Sequence, residues 1–441
     1  MSLVSRYLLN ASGGAGETYW YAAFKQDTAV ASASSNQSQN ENLTTPYVAD
    51  DGTIAFGWDD NSKSTLISLD KDANLNWSYF VNTGTNHRFE RMRGAYIDGS
   101  GNHYFVGEAY NSSNTSYQTY IAKFNSSGSL QYKKFTRPKT SGNYPAVSIV
   151  PASSTHLFVT DRYGNGLIRL SDGAFTAYSN EVKIDSYLIG NNTLTGRKAC
   201  TDGTRVYQLG TFYNSSTGYQ DHGLARFSSS LANNNAYRFS QGFSGNATGR
   251  TCAINSNLYL ATTWVYPISG NYYNGIQAGS LAVNAFAYRS TQNFGPNPAN
   301  YCEVDEDKNV YWIHRGTGTG SGQTFLLKFN NSGTLQYKRE FDANLACTAL
   351  KGDALYIWFY GSSSSVKKMI KVPLDGSGTG TYGTTDTITY SVSTWSNYVS
   401  QTFTTSSATN TENGFTFSAA SFNPTTVDTA NMVTQEEYEE I

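Results

Sequence analysis

The chain has 441 residues, with 31 Lys and Arg against 33 Asp and Glu and only 15% charged side chains. That is well below the roughly 25% of a typical soluble domain, so Asn, Ser and Thr carry its polarity. A net charge of −2 leaves no cationic footprint for a phosphate backbone and argues against nucleic acid as a partner; no stretch reaches the roughly 18 to 20 apolar residues that span a bilayer, which argues against membrane insertion.

Met1 to Gly14 is too short and too broken an apolar stretch for a signal-peptide core. Thr18 to Phe24 (TYWYAAF) reads as a strand. It resembles NWSYF (Asn76 to Phe80) and QYKKF (Gln131 to Phe135), which lie much further into repeated units. Those units announce themselves in FNSSGSLQYK, starting at Phe124, and FNNSGTLQYK, starting at Phe329, which agree at eight of ten positions. The end of an apolar strand followed by a polar turn recurs at Leu69, Phe124, Leu170, Phe227, Val283, Phe329 and Val372. The mean step is about 50 residues, in the range of a propeller blade.

Each repeat divides into four short alternating strands. In the second these are Gly94 to Ile97, His103 to Glu108, Tyr120 to Phe124 and Leu130 to Phe135. Asp-rich turns punctuate them at Ala49 to Thr53, Asp98 to Asn102, Thr201 to Arg205 and Val304 to Asn309, where Asp and Asn bond their own backbone. No run keeps a helical period. The expected fold is all-β: a seven-bladed β-propeller spanning 44–382, an N-terminal arm (1–43) whose strand 18–24 closes the last blade, and a C-terminal arm (383–441). An N-terminal arm independent of the ring is the competing reading of 1–43.

Cys200, Cys252, Cys302 and Cys347 recur at intervals of 45 to 52 residues, which predicts one equivalent place on the inner strands of blades 4 to 7. Buried free thiols suit that crowded place, and the absence of any CxxC pair argues against zinc. No GxSxG, HExxH or Walker motif occurs, and the five histidines are scattered. Gly316 to Gly322 opens no helix and reads as a loop rather than a phosphate cradle. Asp70-Lys-Asp72-Ala-Asn74 and Asp305-Glu-Asp307-Lys-Asn309 begin like calcium loops but lack the Gly and the twelfth-position Glu, so solvated turns are the better reading. No enzyme activity, metal or cofactor is expected.

The loops between second and third strands emerge on one face and are rich in Tyr, Asn, Ser and Gly, a mixture suited to adaptable recognition. Tyr110, Tyr117, Tyr213, Tyr219, Trp264, Tyr266, Tyr272 and Tyr273 are the candidate binding residues there. The plainer reading is that these loops sample a chain that holds 33 Tyr overall. Beyond Thr379 the repeat stops, and Thr404 to Thr434 is too poor in apolar residues to bury a core of its own. It reads as a linker or as an arm that orders on a partner.

The repeat DGSGNHYFVGEAY…TYIAKFNSSGSLQYKKF, over about 44–382, resembles propeller repeats of bacterial surface proteins and of bacteriophage structural proteins, especially those of marine cyanophages. The third and fifth blades depart from it by lacking the Gly-Asn turn. The resemblance implies a virion component of a tail or appendage, assembled in the bacterial cytoplasm. Its C-terminal arm would dock on other virion proteins and its loop face would meet a neighbour, or a glycan or protein of the host. A carbohydrate-binding surface module and, further off, a glycan-cleaving propeller are the alternatives, since one fold hosts many functions.

Overall fold

The computed structural model describes residues 18–26, 46–60, 63–80, 87–111, 116–135, 146–161, 164–180, 182–184, 187–188, 199–214, 219–230, 233–241, 248–268, 271–281, 283–294, 299–316, 322–360, 366–401, 403–408, 410–412, 429–430 and 433–440. Among them there is no helix, and seven antiparallel sheets form a ring. Blade 1 comprises Tyr47–Val48, Ile54–Asp60, Lys63–Leu69 and Leu75–Phe80. Blade 2 comprises His87–Ile97, His103–Asn111, Ser116–Phe124 and Leu130–Phe135. Blade 3 follows with Ala146–Ser153, His156–Asp161, Gly164–Arg169 and Phe175–Asn180, and blade 4 with Ala199–Thr201, Val206–Asn214, Tyr219–Phe227 and Asn233–Gln241. Blade 5 is Thr248–Ile254, Tyr259–Ile268, Asn271–Ser280 and Asn284–Ser290. Blade 6 is Asn300–Val304, Val310–Arg315, Thr324–Phe329 and Leu335–Phe341.

Blade 7 draws Asn344–Lys351, Ala354–Tyr360 and Val366–Pro373 from the end of the repeats and its fourth strand, Trp20–Gln26, from the N-terminus. Trp20 stands opposite Lys371 and Lys25 opposite Val366, so the N-terminal strand closes the ring as the aromatic pattern predicted. Closure removes the open edge that a linear array would leave. The inner strands succeed one another around the axis, and Tyr47–Val48 meets Asn344–Lys351.

One contact recurs from blade to blade and explains the repeated sequence. The fourth-strand aromatic of each of five blades donates to a backbone carbonyl just past the third strand of the next: Trp77 to Ser126 at 3.4 Å, Tyr132 to Leu170 at 3.0 Å, Tyr288 to Gly333 at 2.8 Å, Tyr337 to Leu374 at 3.1 Å, and Trp20 to Lys71 at 3.0 Å across the closure. The receiving turn must lie flat beneath the ring. In FNSSGSLQYK, Asn125 Oδ1 accepts the Ser129 amide at 2.7 Å to shape that turn, and Gly128 sits at φ 81° where a Cβ would come within 2.8 Å of Trp77. In blade 1, where Trp20 is the donor, Ala73 occupies the corresponding place at φ 60°.

A second row lies just inside the first. Tyr104, Tyr207 and Tyr311 donate to the first-turn carboxylates Asp98, Asp202 and Asp305 at 2.8, 2.8 and 2.9 Å. Lys123, Lys328 and Lys371 lie 5.2, 5.3 and 5.6 Å from the rings of Tyr104, Tyr311 and Tyr356, close enough for cation–π attraction. The D-x-x-G-N-x-Y and K-F portions of the repeat are therefore structural.

The segment set apart in the sequence as a C-terminal arm (383–441) is no free tail in its described parts. It runs around the rim against the order of the blades. Ile388–Val392 adds to the outer strand of blade 6, Tyr398–Ser400 to blade 5 and Phe403–Ala408 to blade 4. Asn410–Glu412 pairs with Val182–Ile184, a short strand after blade 3. Thr429–Ala430 then adds to blade 1 and Val433–Glu440 to Trp20–Gln26 of blade 7. The hairpin of Gly380–Tyr382 with Ile388–Val392 straddles the boundary expected at 382. A rim strand offers a ready row of backbone donors and acceptors, so a segment poor in apolar side chains can order there through main-chain bonds without a core of its own. Aromatic anchors fix its first part: Tyr390 stacks on Phe341 with centroids 4.7 Å apart, and Trp395 is 8% exposed between blades 5 and 6.

All four cysteines lie buried, none in a disulfide, on the inner strands of blades 4 to 7. Their equivalence is looser than the spacing suggested. Cys252 and Cys302 stand three residues before the turn-forming Asn255 and Asp305, whereas Cys200 stands two before Asp202. Cys347 follows a bulge and faces Trp358.

Candidate contact surface

Antiparallel blades present first-to-second and third-to-fourth turns at one end of the ring and second-to-third and fourth-to-first loops at the other. The turn end is occupied with its own structure. Asp70 Oδ1 accepts the amides of Asp72 and Asn74 at 2.9 and 2.8 Å, and the Asp305 carboxylate accepts from Asn309 and Tyr311. Both calcium-like stretches are thus turns shaped by their own carboxylates. Burial alone would raise the Asp98 carboxyl, but hydrogen bonds from Asn102, Tyr104 and Ser100 outweigh it and hold the group below its ordinary value. Among the described residues, no cluster of three or more His, Cys, Asp and Glu is placed to hold a metal ion.

The loop end is built most fully at blade 5, whose second and third strands form a hairpin of two ten-residue strands. Its length corrects part of the sequence reading. Trp264 and Tyr266, candidates for an exposed binding surface, belong to the hairpin's paired stem and are 0% and 3% exposed. Trp264 lies flat on Gly275, where a Cβ would come within 2.0 Å of the indole. Tyr273, opposite Tyr266, and Tyr272, one pair nearer the tip, are half-buried beside exposed Asn271. The Arg289 guanidinium lies 5.0 Å from the Tyr273 ring. Asn293 donates its side-chain amide to Asn271 at 2.7 Å and accepts the Tyr272 amide at 2.9 Å.

Tyr110 and Tyr117 stand opposite each other in the blade 2 hairpin, and in blade 4 Tyr213 faces Gln220 while Tyr219 faces Asn214. The side chains of these four lie outside the described residues, as does most of the Gly316 to Gly322 loop. Of the eight candidates, the structure therefore brings Tyr272 and Tyr273 together at a partly exposed place and withdraws Trp264 and Tyr266.

Several cations near that end were not singled out in the sequence. Arg250, on the inner strand of blade 5, is 4% exposed; burial pulls its guanidinium down to about 10, against the opposing influence of Tyr301 and Tyr272. Burial also lowers Arg315. The Lys367 ammonium sits 4.7 Å from the Tyr360 ring. A bulge between Gly249 and Cys252 interrupts the alternation of the blade 5 inner strand at Arg250, so the sequence pattern gave no signal for it. Two of the buried histidines are held neutral near neutral pH: burial lowers His103 to about 4 and His314 to about 3.

No protein-family model and no curated sequence matches the chain. Solved structures do align with it. The polysaccharide lyase Uly1 is 10% identical with a TM-score of 0.44, covering 80% of this chain and 98% of its own. The propeller domain of Nup133 from Vanderwaltozyma polyspora is 8% identical at 0.42, covering 81% and 99%. The propeller of the trilobed protease from Pyrococcus furiosus is 7% identical at 0.42, covering 76% and 95%. At such identities the likeness concerns the fold alone, and the differing roles of these proteins carry nothing over.

Proposed function

We propose that the chain is a non-enzymatic structural component of a bacteriophage particle, in the tail or an appendage, whose loop face meets a neighbouring subunit or the host surface. The observation that carries this reading is the belt. Six C-terminal strands pair with the rim or with a short strand beside it, and the last of them locks the N-terminal closing strand from outside. Such a ring suits a permanent mechanical part better than a cleft that must open and close around substrate. The likeness of the Asp98 to Phe135 repeat to phage propeller repeats supports the same reading, as do four buried thiols outside any disulfide. In this proposal the C-terminal segment remains the docking element for other virion proteins, acting as a rim of outermost strands.

A carbohydrate-binding surface module is the second reading, favoured by the half-buried Tyr272 and Tyr273 beside exposed Asn271, since flat aromatic rings with amides nearby suit sugar rings. Quantitative mass spectrometry of purified particles separates the two. Fixed copy number relative to the major tail protein is expected; absence from the particles, with retention on a glycan array that Tyr272→Ala plus Tyr273→Ala abolishes, would replace the first reading with the second.

A further inference from the structure

His314, the penultimate residue of the second strand of blade 6, lies inside a box of aromatic rings. Trp312, Phe294, Phe325 and Trp395 lie 4.6, 5.1, 5.6 and 4.8 Å from it, centroid to centroid. Three of these belong to the propeller. Trp395 alone comes from the belt, stacked on Phe325 at 5.1 Å, and it shuts the box. The imidazole is 0% exposed; its Nδ1 lies 3.4 Å from the Arg315 carbonyl, and its Nε2 has no hydrogen-bond partner. An imidazolium formed there would be stripped of water and leave its Nε2–H without a hydrogen-bond acceptor, a cost that the attraction of the surrounding ring faces offsets only in part.

We propose that His314 is the acid trigger of a latch whose bolt is Trp395: protonation of His314 expels the indole and frees the belt from blades 5 and 6 while the seven blades stay folded. The bolt is tied by side-chain bonds as well as by the belt's main-chain ladders on blades 5 and 6. Lys338 donates to the Trp395 carbonyl at 2.9 Å, Trp395 Nε1 to Gln292 Oε1 at 3.1 Å, and Ser393 Oγ to Glu340 at 2.9 Å. Belt residues 391–402 carry no acid or base other than Tyr398, so nothing on the belt compensates an imidazolium. Thr291 to Phe294 carries none either. The charged side chains on the elements packed around it include Arg315 on the same strand, Glu303, Lys328, Lys338 and Glu340 on the other strands of blade 6, and Arg250 and Arg289 on blade 5. None of them sets the histidine's proton affinity, which burial lowers and the Arg315 carbonyl partly restores.

The sign follows from linkage. The closed form holds His314 at about 3 against 6.5 once hydrated, so the latch is fully shut above pH 6.5 and loosens as pH falls from there towards 3. The opening constant grows tenfold per unit, or about 100-fold between pH 7 and 4.5. The device operates whichever partner the propeller meets.

The test is backbone hydrogen exchange of the full chain at pH 7 and 4.5, corrected for intrinsic rates. It follows the Ser393 and Gln401 amides, which donate to the Lys338 and Ala287 carbonyls. Protection of these two should fall about 100-fold at pH 4.5 while the inner strands keep theirs, and His314→Phe should abolish the fall. An equal fall in His314→Phe, or loss of protection throughout the ring, overturns the proposal. Should that variant not fold, exchange of the imidazole carbon-bound hydrogen in the unmodified protein decides: titration well below 5 is expected, and titration near 6.5 in the closed form overturns it.

Discussion

Replacing Trp20 by Ala tests the closure at its most concentrated point. The side chain is 0% exposed, packs edge-on against Tyr356 at 6.2 Å and donates its indole N–H to Lys71 of the first blade. Removing a buried Trp costs about 3 to 5 kcal/mol through lost transfer energy and the cavity left behind, and the Lys71 carbonyl loses a bond worth about 0.5 to 1.5 kcal/mol. About 4 kcal/mol is a large share of the 5 to 15 typical of a domain. It is concentrated where blade 7 meets blade 1, so unfolding from the closure should also accelerate. Guanidinium denaturation followed by Trp fluorescence should show a lower midpoint at unchanged slope, and Trp20→Phe should recover most of the loss, leaving a deficit of about 1 kcal/mol for the missing N–H. An unchanged midpoint in Trp20→Ala would mean that the N-terminal strand does not close the ring.

Trp264→Ala should destabilise the protein by about 3 to 5 kcal/mol in the same assay, because the indole is core rather than contact surface; a stable variant with impaired attachment to cells would restore it to the binding face. Gly128→Ala should cost more than about 1 kcal/mol, since φ 81° disfavours a side chain and the new methyl meets Trp77; a neutral result would dissolve the stapling role of that turn. Cys200, Cys252, Cys302 and Cys347 should resist alkylation in the native protein and all react after denaturation, as read by intact mass; native labelling of two or more would show that the inner strands are not packed as described.

Much of the ring was legible because its determinants are local. Aromatic and Phe three or four residues apart marked Trp20–Gln26 as a fourth strand, and Asp or Asn at turn starts marked the strand ends at Asp98, Asp202 and Asp305. The belt was not legible, for a physical reason. Phe403–Ala408 and Val433–Glu440 are ordered by main-chain ladders on a preformed edge, and such ladders leave no apolar period in the sequence. The extent of hairpins was likewise hidden. Trp264 and Tyr266 sit in a run whose Tyr, Asn and Gly content reads as loop, yet ten-residue strands carry the pairing past them and turn the indole onto Gly275. The inner strand of blade 2 was placed at Gly94 to Ile97 but begins at His87, because bulges between Phe89 and Arg91 and between Met92 and Gly94 break its alternation.

That the C-terminal segment belongs to the propeller's own rim is tested most directly by a disulfide between Arg238→Cys and Ser406→Cys, which stand opposite each other in the pairing of Asn233–Gln241 with Phe403–Ala408. Opposed positions of an antiparallel pair fall within the reach of a disulfide. Mild oxidation of dilute protein should give an intrachain link in nearly every molecule, seen by peptide mapping and as a monomer on a nonreducing gel. Failure of the pair to close, or closure only between chains, would contradict the belted ring.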